Sequence, residues 1–285
     1  MTCISCGCLT SRPIPRHQAR LRVFLDRSLV RCTACGLAWP QPLPTFEDLR
    51  EIYESDSLKH QYAQAGETTY VAGSESAADY IVERVDHMTA TAGTPGKVLD
   101  IGAAQGAFLK ACRDRGWETT GIELSPEGRD YAKTHHGMEF DSVPLEDLRL
   151  PAGSFDAVHM NHVLEHLVDP RGTLREIHRV LRPGGQFIVE VPNEIDDLFV
   201  QICSAIGRPP KPYPVPSPHI YHFNAPSLKR VLENAGFSVT LLVTPRRNLN
   251  YNSRIPLGSL VRRTIFGLEA ALKKGPVILA YCRKP

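Results

Sequence analysis

Residues Val98 to Leu109 read VLDIGAAQGAFL, and this stretch decides the fold. A short apolar run ends on an acid, Asp100, and a glycine-bearing turn follows it. Ala107, Phe108 and Leu109 then open a helix. Strand, turn and helix in that order form the opening unit of a parallel sheet with crossover helices. Gly102 permits the tight turn, and Gly106 lets the start of the helix approach a ligand closely. At the end of the next apolar run, in GIELSP, stands Glu123, 23 positions beyond Asp100. A carboxylate so placed can accept both hydroxyls of a ribose.

Outward from this unit, apolar runs alternate with amphipathic stretches. KVLDIG, TTGIEL, FDAVHMN, GQFIVEVP, SVTLLVT and VILAYCR are predicted strands, with a further short strand near Met138 to Phe140. Upstream, a helix is expected over Ser76 to Met88, and Thr45 should cap another in FEDLREIYESD. The proline run from Pro40 to Pro44 cannot continue a helix and marks a boundary. Three regions result: 1–44, a cysteine-rich module; 45–95, a helical linker and lid; and 96–285, the α/β domain. The proline-rich stretch Pro209 to Pro218 reads as a restricted loop of the kind that closes over a site.

The order of these motifs resembles the class I S-adenosylmethionine-dependent methyltransferases from about Lys97 to the C-terminus. LPAGSFDAV leads into the fourth strand, NHVLEHLVDP follows it, and LRPGGQFIVEVPN supplies the fifth. The resemblance implies a Rossmann-like α/β fold: a mostly parallel seven-stranded sheet with helices on both faces, preceded by a small zinc-ribbon-like module. VILAYCRKP would be the antiparallel strand near the sheet edge. It also implies S-adenosylmethionine as cofactor. Asp100 and Gly102 would hold its methionine end, with Ala103, Gln105 and Gly106 of the same turn. Glu123, beside Leu124, would take the ribose, Leu145 and Glu146 the adenine edge, and Asn161 would lie beside the sulfonium. Two departures stand out: Ala104 replaces a glycine common in the family, as in some RNA 2′-O-methyltransferases, and Pro144 falls where many members carry an aspartate. The turn lacks the spacing of a dinucleotide fingerprint, which argues against NAD.

Methyl transfer from a sulfonium needs alignment first and a base second. His162, Glu165 and His166, spaced i, i+3, i+4, would share one helix face. They either brace the helix or hold a metal, as in some ubiquinone-pathway O-methyltransferases, which have a similar pattern with Glu at position 162. The segment PHIYHFNAPSLKRVLENAGF is similar to one in nucleotide-sugar C-methyltransferases. There His219 matches a general base, with His222 second, Tyr221 two positions on and Phe223 at an aromatic position. Pro218 replaces the glutamate that would orient the imidazole, so the orienting group is absent or comes from elsewhere. A structural histidine is the alternative.

Of eight cysteines, five fall in the first 35 residues. Cys3-x-x-Cys6 and Cys32-x-x-Cys35, each followed by glycine, form a tetrahedral zinc signature of structural type. Cys8 is an extra thiol nearby, and Cys112, Cys203 and Cys282 read as small core hydrophobes. The same sugar methyltransferases also carry an N-terminal cysteine-ligated module. The 285 residues are 42% hydrophobic and 22% charged, a globular composition with a net charge of +2. No stretch reaches the length of a membrane helix, and a cytoplasmic location is expected. A small-molecule acceptor is the favoured partner. An RNA acceptor gripped through Arg12, Arg16, Arg20, Arg22, Arg27 and Arg31 is the alternative, although weak net charge opposes it. A non-catalytic zinc-ribbon scaffold is a third reading.

Overall fold

Alternation along each central strand determines how the sheet is buried. Val98, Ala157, Ile188 and Leu279 pack toward one face, and their neighbours Leu99, Val158, Phe187 and Ala280 toward the other. A computed structural model describes residues 2–14, 27–45, 47–48, 75–205, 219–245 and 259–285. Three short strands, β1 (Ser11–Pro13), β2 (Ser28–Cys32) and β3 (Ala38–Gln41), form an antiparallel sheet. The main sheet follows, made of β4 (Lys97–Ile101), β5 (Glu118–Ile122), β6 (Phe155–Asn161), β7 (Leu181–Pro192), β8 (Ser238–Val243) and β9 (Val277–Arg283). Its order is β5-β4-β6-β7-β9-β8, with the first four parallel and β9 antiparallel to both its neighbours.

Helices α1 (Glu75–Ala92), α2 (Ala107–Arg113) and α3 (Pro126–His136) contribute Val85, Met88, Phe108, Leu109, Cys112 and Ala132 to one face. Helices α4 (Pro170–Val180) and α6 (Ala225–Asn234) cover the other, and α5 (Leu198–Ala205) packs against α7 (Ser259–Leu272). Their starts follow ordinary capping chemistry. Asp169 accepts the Gly172 amide before Pro170, and Asn224 and Ser227 form a reciprocal capping box. Thr45 and Asp48 exchange the corresponding bonds, so the expected cap is present, while most of FEDLREIYESD lies outside the described residues.

Among the described residues the sheet has six strands rather than the expected seven. Gly137 turns the chain out of α3, and Pro144 brings no amide hydrogen. Between them, near Met138 to Phe140, pairing shrinks to one parallel bridge of Asp141 with Ile122. The second difference concerns His162, Glu165 and His166. His162 ends β6 in the left-handed conformation (φ 54°), and Leu164–His166 is a single 3-10 turn, so no α-helix face carries the three. Among the described residues no helix is long and apolar enough to cross a membrane. Cys112 and Cys282 are buried, as expected of core hydrophobes. The side chain of Cys203, the loop Pro209 to Pro218 and residues 248–258 lie outside the described residues.

Three residues of the VLDIGAAQGAFL turn hold left-handed backbone: Gly102 (φ 76°), Ala104 (φ 48°) and Gly106 (φ 83°). A Cβ at Gly102 would also run into the Val163 side chain. Gly102→Ala should therefore cost about 2–4 kcal/mol, combining left-handed strain with overpacking. Ala104→Gly relieves strain of ~1–2 kcal/mol but loosens the unfolded chain, for a net gain on the order of 0.5 kcal/mol. Urea unfolding of both variants checks the opposite signs.

Candidate active site

The carboxyl ends of β4, β5, β6 and β7 gather the acids and histidines singled out above. In the turn after β4, Ala103 is buried and Gln105 half-buried, and Gly106 precedes α2. Glu123, just past β5, accepts the Ala104 amide at Oε2 and the Ser125 amide at Oε1, both at 2.7 Å. A carboxylate has about four acceptor sites, so these bonds leave capacity for a diol. Leu124 beside it is 60% exposed, and Val143 is also uncovered, which leaves apolar surface next to that carboxylate. Leu145 instead packs into the core, and the Glu146 carboxylate accepts the Thr173 hydroxyl.

Asp100 is buried, with Oδ1 2.7 Å from Nδ1 of His159. The other ring nitrogen of His159 lies 2.9 Å from Nη1 of Arg84. A guanidinium only donates, so Nε2 accepts and Nδ1–H donates to Asp100, which makes the imidazole neutral. Burial, the main influence, pushes its pKa down accordingly. The same Arg84 Nη1 donates to Oδ1 of Asn161 at 2.9 Å, and Nη2 pairs with Oε2 of Glu190 at 2.6 Å. Arg84 and Glu190 are each 1% exposed. Sequence reasoning missed both residues. The available signal was an arginine on the apolar face of α1, flanked by Ile81, Val85 and Met88.

Next along the strand ends, His162 lies between two buried acids, with Nε2 3.3 Å from Oε1 of Glu190 and Nδ1 3.4 Å from Oε1 of Glu165. Glu165 Oε1 is also 3.9 Å from Nε2 of His166 and 3.7 Å from Nε2 of His219. Glu194, just beyond β7, has Oε2 3.0 Å from Nδ1 of His219 and 2.7 Å from Nδ1 of His222. Thus the carboxylate that Pro218 could not supply is brought in by β7, another residue that sequence reasoning missed. Tyr221 lies apart from this cluster: it is 1% exposed in the core, and burial pushes its hydroxyl up to about 12.

Burial lowers each imidazole, and the acids reverse the effect unevenly. Burial opposes protonation of His162, but Glu165 and Glu190 outweigh it and raise the pKa to about 9. His219 is raised in the same way by Glu194. His166, held down by burial and by His219, falls to about 4. Burial also opposes ionisation of Glu194, yet His219 and His222 take it well below the usual carboxylate range.

The cysteine cluster is equally well gathered. Sulfurs of Cys3, Cys6, Cys32 and Cys35 lie within 4.8 Å of one another, with Cys3 to Cys35 at 3.6 Å and Cys6 to Cys32 at 3.5 Å. Cys8 stays outside the set and turns toward Thr10. Four sulfurs so close cannot all be thiolates without a cation, and the donor set fits a tetrahedral soft-metal site.

Comparison with known proteins adds a family and a fold. A family model described as "Methyltransferase domain" matches residues 75–242. The ubiquinone biosynthesis O-methyltransferase of Pseudomonas aeruginosa is 33% identical over 118 residues, covering 39% of this chain and 50% of that protein. The chain thus spans about half the length of the curated relatives it matches. Among solved structures, a 1,6-didemethyltoxoflavin-N1-methyltransferase of Burkholderia thailandensis aligns over 92% of this chain and 97% of its own, with TM-score 0.55 and 18% identity. A methyltransferase from Archaeoglobus fulgidus aligns over 79% of this chain and 100% of its own, with TM-score 0.54 and 20% identity. Both show similarity of fold.

Two outcomes test the buried chain of charges. Arg84→Met leaves Glu190 without its guanidinium partner and should destabilise the fold by about 3–5 kcal/mol in urea unfolding. The His162 imidazole should titrate near 9 by NMR. Because that value is raised above 6.5, its stabilisation is complete below the ordinary histidine value and fades as pH climbs through about 9.

Proposed function

The chain belongs to the methyltransferase-domain family, and from that premise we propose that it is an S-adenosylmethionine-dependent methyltransferase acting on a small molecule, with His219 as general base. The observation that carries this reading is the 3.0 Å approach of Glu194 to Nδ1 of His219. It supports an imidazole aimed from behind, with Nε2 turned toward the reacting side. Nε2 lies 3.7 Å from Glu165, beyond ordinary hydrogen-bond reach, and so can take a proton from the acceptor. The imidazolium formed is then stabilised by both acids. His222 shares Glu194 and supports His219, and His162 and His166 complete the polar wall. Tyr221 stays in the core, apart from it.

On the donor side, Gly102, Ala103, Gln105 and Gly106 frame the methionine end of the cofactor, and Glu123 takes the ribose. Leu124 offers an apolar face to the base, with Leu145 and Glu146 behind that edge. Asn161, fixed by Arg84, stands beside the sulfonium. Asp100 supports the turn from below through His159. In-line transfer draws about 7–11 kcal/mol from alignment, and a base adds about 10²–10⁴-fold. The four cysteines hold Zn²⁺ in a structural role. Against an RNA acceptor, Arg31 pairs with Asp196 and Arg27 with Asp48, which leaves fewer cations for phosphate, while Arg16, Arg20 and Arg22 lie outside the described residues.

A second reading has one specific observation behind it. Both oxygens of Glu165 are buried without a hydrogen-bond partner among the described residues. The three imidazole nitrogens around Oε1 lie at 3.4, 3.7 and 3.9 Å. Ligands about 2.1 Å from a tetrahedral cation are roughly 3.4 Å apart, so Glu165, His166 and His219 could hold a divalent ion, with Glu194 3.0 Å behind His219.

Radiolabelled methyl transfer, screened over small hydroxyl, amine and activated-carbon acceptors and over total RNA, tests the proposal. On the acceptor found, His219→Ala should lower kcat by about 10²–10⁴-fold while calorimetric affinity for S-adenosylhomocysteine holds. Label appearing only in RNA, or unchanged turnover in His219→Ala, rejects it. Metal analysis of the native chain separates the two readings: one equivalent of zinc favours the base alone, and a second divalent equivalent lost in Glu165→Gln favours the ion.

A further inference from the structure

The cysteine module is joined to the two loops that carry the acceptor-side histidines and acids. β3 pairs directly with the histidine segment: the Ala38 amide donates to the His222 carbonyl at 3.1 Å, and the His222 amide to the Ala38 carbonyl at 2.9 Å. The second cysteine knuckle, closed by Gly36 (φ 79°), presses so tightly on Asn224 that any Cβ at position 36 would collide with that side chain. Asn224 in turn donates to Asp196 at 2.9 Å, and Asp196 is ion-paired with Arg31 of β2. Asp196 lies two residues beyond Glu194. One knuckle therefore touches both the loop bearing Glu194 and the segment bearing His219 and His222.

The first knuckle is held just as specifically, through backbone groups. Arg171 of α4 donates to the carbonyls of Ile4 at 2.5 Å and Cys3 at 3.3 Å. Asn234 of α6 donates to the Ser5 carbonyl at 2.8 Å, and the Ser5 hydroxyl donates to the Ser227 carbonyl. Cys3, Cys32, Cys35, Leu37 and Trp39 share one apolar cluster with Ile220, Tyr221 and Phe223. By contrast, no hydrogen bond or ion pair among the described residues joins the module to the turn at 102–106 or to Glu123.

We propose that the metal held by Cys3, Cys6, Cys32 and Cys35 is a positioning device for the acceptor half of the active site, and that the donor half is independent of it. The proposal rests on the zinc reading given above. Metal binding supplies the folding free energy of a module too small to form its own core. Without the cation, the sulfurs repel or take up protons and the knuckles lose their shape. Gly36, Ala38 and Arg31 then release Asn224, His222 and Asp196, and the spacing of Glu194 from His219 and His222 is no longer set. Metal loss would silence transfer while leaving the nucleoside donor bound.

Hydrogen exchange read by mass spectrometry on the full chain tests this without any acceptor. Zinc content is measured first, then exchange with and without a chelator. Chelation should speed exchange of amides at 219–227 and 194–198 by about tenfold or more, while those at 97–123 stay unchanged. Calorimetric affinity for S-adenosylhomocysteine should hold within about twofold. In zinc-loaded protein, Asp196→Asn and Arg31→Met should reproduce the local loosening at 219–227 with all four cysteines intact. Zinc-loaded protein whose exchange rises only within 2–45 on chelation overturns the brace. So does an equal rise at 97–123, or loss of homocysteine-nucleoside binding, because the metal would then support the whole fold. A chain isolated with no zinc overturns the metal reading beneath it.

Discussion

Glu190 sits 1% exposed at the end of β7, with Arg84 on one side at 2.6 Å and His162 on the other at 3.3 Å. Removing a carboxylate from water costs several kcal/mol, and only close counter-charges offset it. Each partner it recruits is itself buried or half-buried and needs further partners. Arg84 therefore reaches Asn161 and, through neutral His159, Asp100 under the cofactor turn. His162 reaches Glu165, around which His166 and His219 gather, and His219 meets Glu194. One alternation of charge thus runs from the tip of β4 to the histidine segment before α6. Its members are hard to change singly, because each substitution strands the charge next to it.

This continuity coexists with a division of labour. The proposed donor half is made by backbone: a left-handed turn, two amides fixed on Glu123, and exposed apolar surface at Leu124. Such a site depends on the central strands and on α2, which are the most regular parts of the molecule. The proposed acceptor half is made by side chains from a 3-10 turn, the loop after β7 and the segment 219–224. Irregular backbone of that kind holds its geometry only when something braces it. α1 braces it from one face of the sheet through Arg84, and the cysteine module from the other through Ala38 and Arg31.

The family match begins at residue 75 and ends at 242. It takes in α1, the turn after β4 and the histidine segment, and leaves out the cysteine module, α7 and β9. The module and β9 do different work. β9 completes the sheet between β7 and β8, whereas the module adds nothing to that sheet and contacts the histidine segment.

By itself the sequence determined what depends on neighbours along the chain. Six strands were legible because short apolar runs between turn residues declare a buried sheet, and the turn after β4 because Gly102 and Gly106 punctuate the passage from strand to helix. The two knuckles were legible because a Cys-x-x-Cys-Gly unit is local chemistry. Tertiary structure alone decided whatever depends on register or on a partner distant in sequence. The segment near Asp141 pairs at a single bridge, which no local pattern foretells. His162, Glu165 and His166 meet, but around a buried carboxylate rather than along a helix. Arg84, Glu190 and Glu194 carry no motif at all. Each is an ordinary charged residue until folding removes its water, and only then does the need to pair a buried charge make its position matter.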